Sequence, residues 1–472
     1  MRPFLHRRMP ALVLAAATLA AVAAAPVVAP TPAPVAADEV DDVDNALRAH
    51  GRLQDQYTNP AYHVALAQES PETFVGGLSD QLEHPDRPSV TLSQTVFGGT
   101  GADAFRHRWE EQGRGVQVAF EYENRYGARI QGHVWAPNLP FTDPVTGTVT
   151  HGPLPAVVIT TGSIQGYEEM YLWAAQGLAE AGYLVMTYDV QGQGHSETFG
   201  HRPDGSLWCG QDGCPGVPFQ QSANFFEGTE DALDWFVSDA NPLVGLLDES
   251  RIGLAGHSLG GSAVSAVGNR AVPVPDRPDI EVDAVVAWDN LSLPEVDPVS
   301  GVELAPRVPS MGQGAEYFFN AGPPPSDPEA KNATFTRFRD AGVDAFQLNL
   351  RSSTHLEWTY IPYILPASSE GERVAMHYTL AWFDRYLKGG DETLPAKERL
   401  DQRRDAQRRL LLTEFDASAD ASAIGAGTYD AATNSNVPHT LAGEPVADHL
   451  SRYLRSAYAF DGFDCTSMLA GC

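Results

Sequence analysis

Apolar residues in this chain recur with two periods. In Val116 to Tyr122 and Ala128 to Trp135 they fall at every second position, and a polar turn, Glu123-Asn124-Arg125-Tyr126-Gly127, joins the two runs. That pattern predicts a β-hairpin. Pro155 to Thr161, Tyr183 to Tyr188, Arg251 to Gly256, Val282 to Ala287, Arg307 to Gly312 and Ala345 to Leu350 are short, largely apolar runs. Such runs suit strands covered on both faces. Among them, Glu168 to Glu180, Asn224 to Ser238 and Glu372 to Leu387 carry helical spacing, the first ending at Gly182 and the last at Gly389-Gly390. Strands alternating with helices predict an α/β fold: a mostly parallel central sheet with helices on both faces.

Outside this alternation the pattern changes. Arg2, Arg7 and Arg8 precede an apolar run from Ala11 to Ala25 and a Pro/Ala stretch, which reads as a signal peptide over residues 1–37, cleaved before Asp38. Residues 38–113 have no clear period and form an N-terminal extension. Residues 114–390 carry the βα alternation and are the expected catalytic domain, interrupted at 197–222 by turn residues that suggest a cap-like insertion. Residues 391–472 form a C-terminal extension read as a decoration on the core.

Charge and cysteines narrow the setting. The formal net charge is −30 over 472 residues. Such a surface disfavours nucleic acid and anionic membranes as partners, and no segment after the signal is long and apolar enough for stable membrane anchoring. The oligomeric state is left open. Four cysteines, Cys209, Cys214, Cys465 and Cys472, fall in two close pairs. In an exported chain these read as disulfides 209–214 and 465–472; zinc-type C-x-x-C spacing is missing. The expected location is therefore secreted, with no metal and no cofactor.

The chemistry-bearing segment is Gly256-His257-Ser258-Leu259-Gly260-Gly261, which follows a predicted strand and precedes a small-residue helix. A serine at the apex of a strand-to-helix turn needs glycines two places before and after, because the chain passes itself closely there. Ser258 is the candidate nucleophile. A base is expected just after the last strand, which selects His355 in Arg351-Ser352-Ser353-Thr354-His355. The acid should follow the preceding strand. Glu316, the first carboxylate past the run ending at Gly312, leads; Asp289 is the alternative and Asp327 a third choice. Backbone N–H groups of Leu259 and Ser163 are the expected oxyanion hole, with Ile164 second to Ser163. Trp288 and Tyr317, just past predicted strand ends, are the expected substrate-binding residues, with Phe318 and Trp358 nearby. Asp189-Val190-Gln191-Gly192-Gln193-Gly194-His195-Ser196 lacks the third glycine of a dinucleotide fingerprint and reads as a turn after a strand.

From Val116 to Gly390 the chain resembles the α/β-hydrolase superfamily, through Gly256–Gly261, the Asp189–Ser196 turn and the position of His355. Within it the chain looks most like secreted dienelactone-hydrolase-like and cutinase-like polyester hydrolases. Pro155 to Ser163 resembles their oxyanion strand, Trp288-Asp289 their substrate-stacking Trp-Asp pair, and Val308-Pro309 the start of their acid strand; a C-terminal disulfide is a habit of that group. Ser163 stands where those enzymes place an aromatic clamp, Glu316 replaces their usual Asp, and the chain is much longer than a cutinase. The resemblance implies a secreted serine hydrolase that cleaves carboxylic esters, small-molecule or polymeric, through an acyl-enzyme. A peptidase or amidase of the same fold is the alternative, and a non-catalytic binding protein the third reading.

Overall fold

The computed structural model describes residues 109–143, 147–163, 166–208, 221–289, 291–318, 324–359, 369–388 and 454–468, with scattered single and paired positions elsewhere. All belong to the compact unit running from Val43 to Cys472. Residues 1–37, read as a signal peptide, and the parts of both extensions that fall outside these ranges, with Cys209, Cys214 and Cys472, lie outside the described residues.

The central strands are β1 (Gly115–Glu123), β2 (Arg129–Pro137), β3 (Leu154–Thr160), β4 (Leu184–Tyr188), β5 (Leu247–His257), β6 (Ala284–Trp288), β7 (Ser310–Tyr317), β8 (Ala345–Thr354), β9 (Leu454–Phe460) and β10 (Phe463–Cys465). They form one sheet in the order β1-β2-β4-β3-β5-β6-β7-β8-β9-β10. β4, β3, β5, β6, β7 and β8 run parallel to their neighbours. The opening hairpin joins β4 antiparallel, and β9 joins β8 antiparallel. The C-terminal extension, read as a decoration, thus supplies two strands of the sheet.

Strand alternation sorts side chains onto two faces. Val157, Ile159, Val185, Ala255, Val286 and Phe346 pack with helices α1 (Leu172–Glu180) and α5 (Ser369–Leu387). Ala156, Val158, Met186, Leu254 and Val285 pack with α2 (Ser222–Phe236), α3 (Leu259–Gly268) and α4 (Asn332–Asp340). Both faces are buried, which is why the strand runs are apolar at nearly every position. Burying one large side chain in this way is worth about 1.5–3 kcal/mol. This is the α/β fold expected from the sequence, a mostly parallel central sheet with helices on both faces. Within the 197–222 insertion, Gly200–His201 and Leu207–Trp208 pair as a small hairpin. Cys465 is buried, and no cysteine among the described residues carries a free thiol. Among the described residues no helix is long and apolar enough to cross a membrane.

Candidate active site

The site lies where the parallel strands end. β5 runs into α3 with a single residue between them, Ser258, at φ 55° and ψ −119°. That conformation is one an L-residue adopts only at a cost of order 1–3 kcal/mol. The glycines on either side have no room for a side chain. A Cβ on Gly256 would lie 2.5 Å from the Gly260 carbonyl oxygen, and one on Gly260 would lie 2.3 Å from that of Thr161. The second contact shows that the first turn of α3 lies against the end of β3. Leu259 opens α3, so its N–H has no acceptor within the helix. Gly162 and Ser163 follow β3, and the Gly162 N–H donates to Tyr171 Oη at 2.9 Å. Ser163 therefore carries the next N–H in that turn. Ile164 lies outside the described residues.

His355 opens a short 3-10 turn, His355–Trp358, directly after β8. Its Nε2 is 3.0 Å from Ser258 Oγ, and its Nδ1 is 2.5 Å from Asp289 Oδ2. A carboxylate only accepts, so Nδ1 carries the proton. Nε2 is then a lone pair facing the serine hydroxyl, as a general base requires. The backbone of His355 is held as well: its N–H donates to the Phe318 carbonyl at 2.8 Å.

Asp289, the first residue past β6, is itself held in a left-handed conformation (φ 46°). Its Oδ1 accepts from the Ala315 N–H at 2.9 Å and from Lys331 Nζ at 2.8 Å. Burial alone would raise its pKa. The hydrogen bond from His355 and the Lys331 charge outweigh burial and hold the carboxyl well below the usual range. Lys331 had no signal in the sequence, because it lies 42 residues further along the chain in a polar segment.

Glu316, the leading acid from the sequence, is not against His355. β7 continues past Gly312 to Tyr317, so Glu316 sits inside the strand rather than in the turn beyond it. It is buried, and its Oε2 accepts from the Ser352 N–H at 2.7 Å, at a left-handed residue (φ 60°). Glu316 thus pins the irregular end of β8 that leads into His355, while the alternative acid, Asp289, meets the base. Asp327, the third choice, accepts from the Glu329 N–H at 3.0 Å at the start of a 3-10 turn.

The two aromatic residues expected to bind substrate are both inside the protein. Trp288 is fully buried, stacked with Tyr171 and tilted against Trp173, and its Nε1 donates to Thr379 Oγ1 at 3.2 Å. As the last residue of β6 it points to the α1/α5 face, whereas Asp289 turns away toward His355. Tyr317 is also buried. Phe318, one residue on, is 64% exposed, and its ring centroid is 5.0 Å from that of His355. Of these aromatics, Phe318 is the one exposed to solvent beside His355.

A second polar cluster lies along the turns after β3 and β4. Asp189, fully buried, accepts from the Glu168 N–H at 2.8 Å with Oδ1, and from the His195 N–H at 2.6 Å with Oδ2. Burial pushes the Glu169 carboxyl up to about 8, with Asp189 and Glu168 adding to the rise. Glu169, Asp189 and His195 bring three possible metal-ligand atoms within 4.8 Å of one another, but both Asp189 oxygens already serve backbone donors. The cluster shapes the turn, as the sequence suggests for Asp189–Ser196.

Next to it, His133 Nδ1 is 2.6 Å from Glu168 Oε1. Burial would lower the imidazole pKa, but the Glu168 charge and hydrogen bond win and raise it to about 9. A folded pKa above the unfolded value near 6.5 means that the contribution is complete below pH 6.5 and is lost as pH rises through about 9. Between those values the wild type is expected to lose roughly 1–2 kcal/mol more stability than His133→Gln, allowing for partial exposure of the ring. Urea unfolding at pH 6.5 and pH 9 measures this; equal losses in both proteins would show that the pair adds nothing.

No protein-family model matches this chain, and no curated protein matches it. Solved structures do match. One is a ferulic acid esterase from Streptomyces cinnamoneus, 20% identical in sequence, with a TM-score of 0.40 over 60% of this chain and 94% of that one.

Proposed function

We propose that this protein is a secreted serine hydrolase that cleaves carboxylic esters. One observation carries the reading: the unbroken hydrogen-bonded line Ser258–His355–Asp289, with the serine on a strained strand-to-helix turn. His355 Nε2 takes the Ser258 proton as Oγ attacks the ester carbonyl. Asp289 keeps Nδ1 protonated and stabilises the imidazolium. The N–H groups of Leu259 and Ser163 receive the negative charge that develops on the carbonyl oxygen. The imidazolium then gives its proton to the leaving alcohol. Water, deprotonated by His355, hydrolyses the acyl-enzyme and restores Ser258.

Export through the N-terminal signal and closure of the cysteine pairs 209–214 and 465–472 belong to the same proposal. The acidic surface suits a soluble extracellular enzyme. The test is labelling of the purified mature protein with a fluorophosphonate, mapped by peptide mass, followed by rates on aryl esters and on matched peptide amides. A single adduct on Ser258 and faster ester turnover are expected. An adduct with faster amide turnover would make the protein a peptidase of the same fold. No adduct on folded protein would end the serine-hydrolase reading.

A further inference from the structure

The residue before the nucleophile, His257, takes no part in the proton transfers above, yet it is almost completely buried beside them. Its Nε2 is 2.9 Å from the carbonyl oxygen of His355, and its Nδ1 is 3.0 Å from Tyr171 Oη. Tyr171, fully buried at the end of the 3-10 turn Glu168–Tyr171, in turn accepts the Gly162 N–H at 2.9 Å. The direction of every bond follows from the two ends. A backbone N–H can only donate, and a backbone carbonyl can only accept. Nε2 must therefore hold the His257 proton and donate it to His355, so Nδ1 is a lone pair that accepts the Tyr171 hydroxyl proton. Tyr171 Oη is left to accept from Gly162.

We propose that Tyr171 and His257 are positioning residues, a bridge that fixes the oxyanion turn against the catalytic base. The inference rests on the hydrolase reading given above. The bridge touches three parts of the site at once. Gly162 adjoins Ser163, His257 adjoins Ser258, and the carbonyl it grips belongs to His355 itself. The fit is tight: a Cβ on Gly162 would lie 2.8 Å from His257 Nδ1 and 3.1 Å from Tyr171 Oη. Burial, with the His355 charge second, lowers the His257 pKa to about 3, so the ring stays neutral and keeps its lone pair for Tyr171. Oxyanion donors act only when held to within about 0.5 Å of their productive geometry, and a displacement of about 1 Å can cost roughly 100-fold in rate. A donor on a glycine turn needs such an anchor, because the turn itself is soft.

Tyr171→Phe keeps the ring and removes both bonds. Per titrated Ser258, kcat is expected to fall by about 10- to 100-fold, with KM within about threefold. Affinity for an aryl trifluoromethyl ketone, which forms a tetrahedral oxyanion on the serine, should weaken by the same factor. A purely structural role would lower the melting temperature and the fraction of titratable sites while leaving kcat per site and ketone affinity unchanged, and that result would overturn the bridge. His257→Phe should show the same split, and the double variant should lose little more than the worse single variant. Losses that multiply would mean that the two residues act separately. The ¹⁵N shifts of His257 in the wild type give a test without mutation or turnover. A neutral ring protonated at Nε2 from pH 5 to pH 8 is expected; an Nδ1-protonated or cationic ring overturns the proposal. Failure of Ser258 to label in the wild type sinks the hydrolase reading, whereas an active wild type with an unaffected Tyr171→Phe sinks the bridge alone.

Discussion

Ser258→Ala is expected to abolish ester hydrolysis, lowering kcat by about 10⁶-fold and removing all fluorophosphonate labelling. The size of the effect follows from covalency. Without Oγ no acyl-enzyme can form, and what remains is oxyanion stabilisation of direct attack by water. The variant should fold. Among the described residues the hydroxyl bonds His355, which stays exposed enough to meet water (12% for its side chain), and Ala is smaller than Ser at the same strained backbone. Circular dichroism and the melting temperature should match the wild type within about 3 °C, since the hydrogen bond lost is worth about 1 kcal/mol. A folded Ser258→Ala protein that still cleaves esters at more than about 1% of the wild-type rate would place the nucleophile elsewhere.

The place of Ser258 on a strand-to-helix turn was legible because its constraint is local. Gly256 and Gly260 are demanded by contacts within five residues or with the adjacent strand, and the flanking strand and helix announce themselves by period. The place of His355 was legible for a related reason: the long amphipathic α5 marks the end of the domain, and His355 lies between it and β8. The carboxylate that meets His355 was not the one the sequence put first, and the cause lies in β7. Gly312-Gln313-Gly314 reads as a turn, but all three residues are buried strand. Gln313 is tolerated there because its amide is satisfied on all sides: Nε2 donates to the Ala375 carbonyl and Thr379 Oγ1, and Oε1 accepts from Trp358 Nε1. A polar residue paid for by partners more than 40 positions away looks like a strand end to any local reading. Ending the strand at Gly312 rather than Tyr317 moved the expected turn five residues early and put Glu316 in it.

The burial of Trp288 and Tyr317 is a matter of parity. Near a strand end, consecutive side chains point to opposite faces, so Trp288 goes into the α1/α5 core while Asp289 goes to the base. The same step takes Tyr317 inside and Phe318 out. Sequence locates the strand end to within a residue or two, which is the margin that decides the face. The Tyr171–His257 contact spans 86 residues and joins two apolar-looking segments, so no periodicity could show it.

Asp289→Asn is expected to lower kcat by about 10⁴-fold with KM little changed, whereas Glu316→Gln should change kcat by less than about tenfold. The contrast follows from the donors around each carboxylate. Asp289 Oδ1 faces two obligate donors, the Ala315 N–H and the Lys331 ammonium. In the asparagine variant those donors hold the amide oxygen, so the NH₂ is turned toward His355. Nδ1 must then accept, the ring proton moves to Nε2, and the imidazole presents a donor to Ser258 where a base is needed. The geometry survives but the tautomer is wrong. Glu316 accepts from the Ser352 N–H, with the Arg351 guanidinium 3.7 Å away. A glutamine oxygen accepts that bond as well as a carboxylate does, so the approach to His355 keeps its shape. Steady-state kinetics on one aryl ester, with active sites counted by fluorophosphonate titration, compare the two variants directly. If Glu316→Gln proves the more damaging of the pair, the base is held by Glu316 during turnover, and the Asp289–His355 contact belongs to the resting enzyme alone.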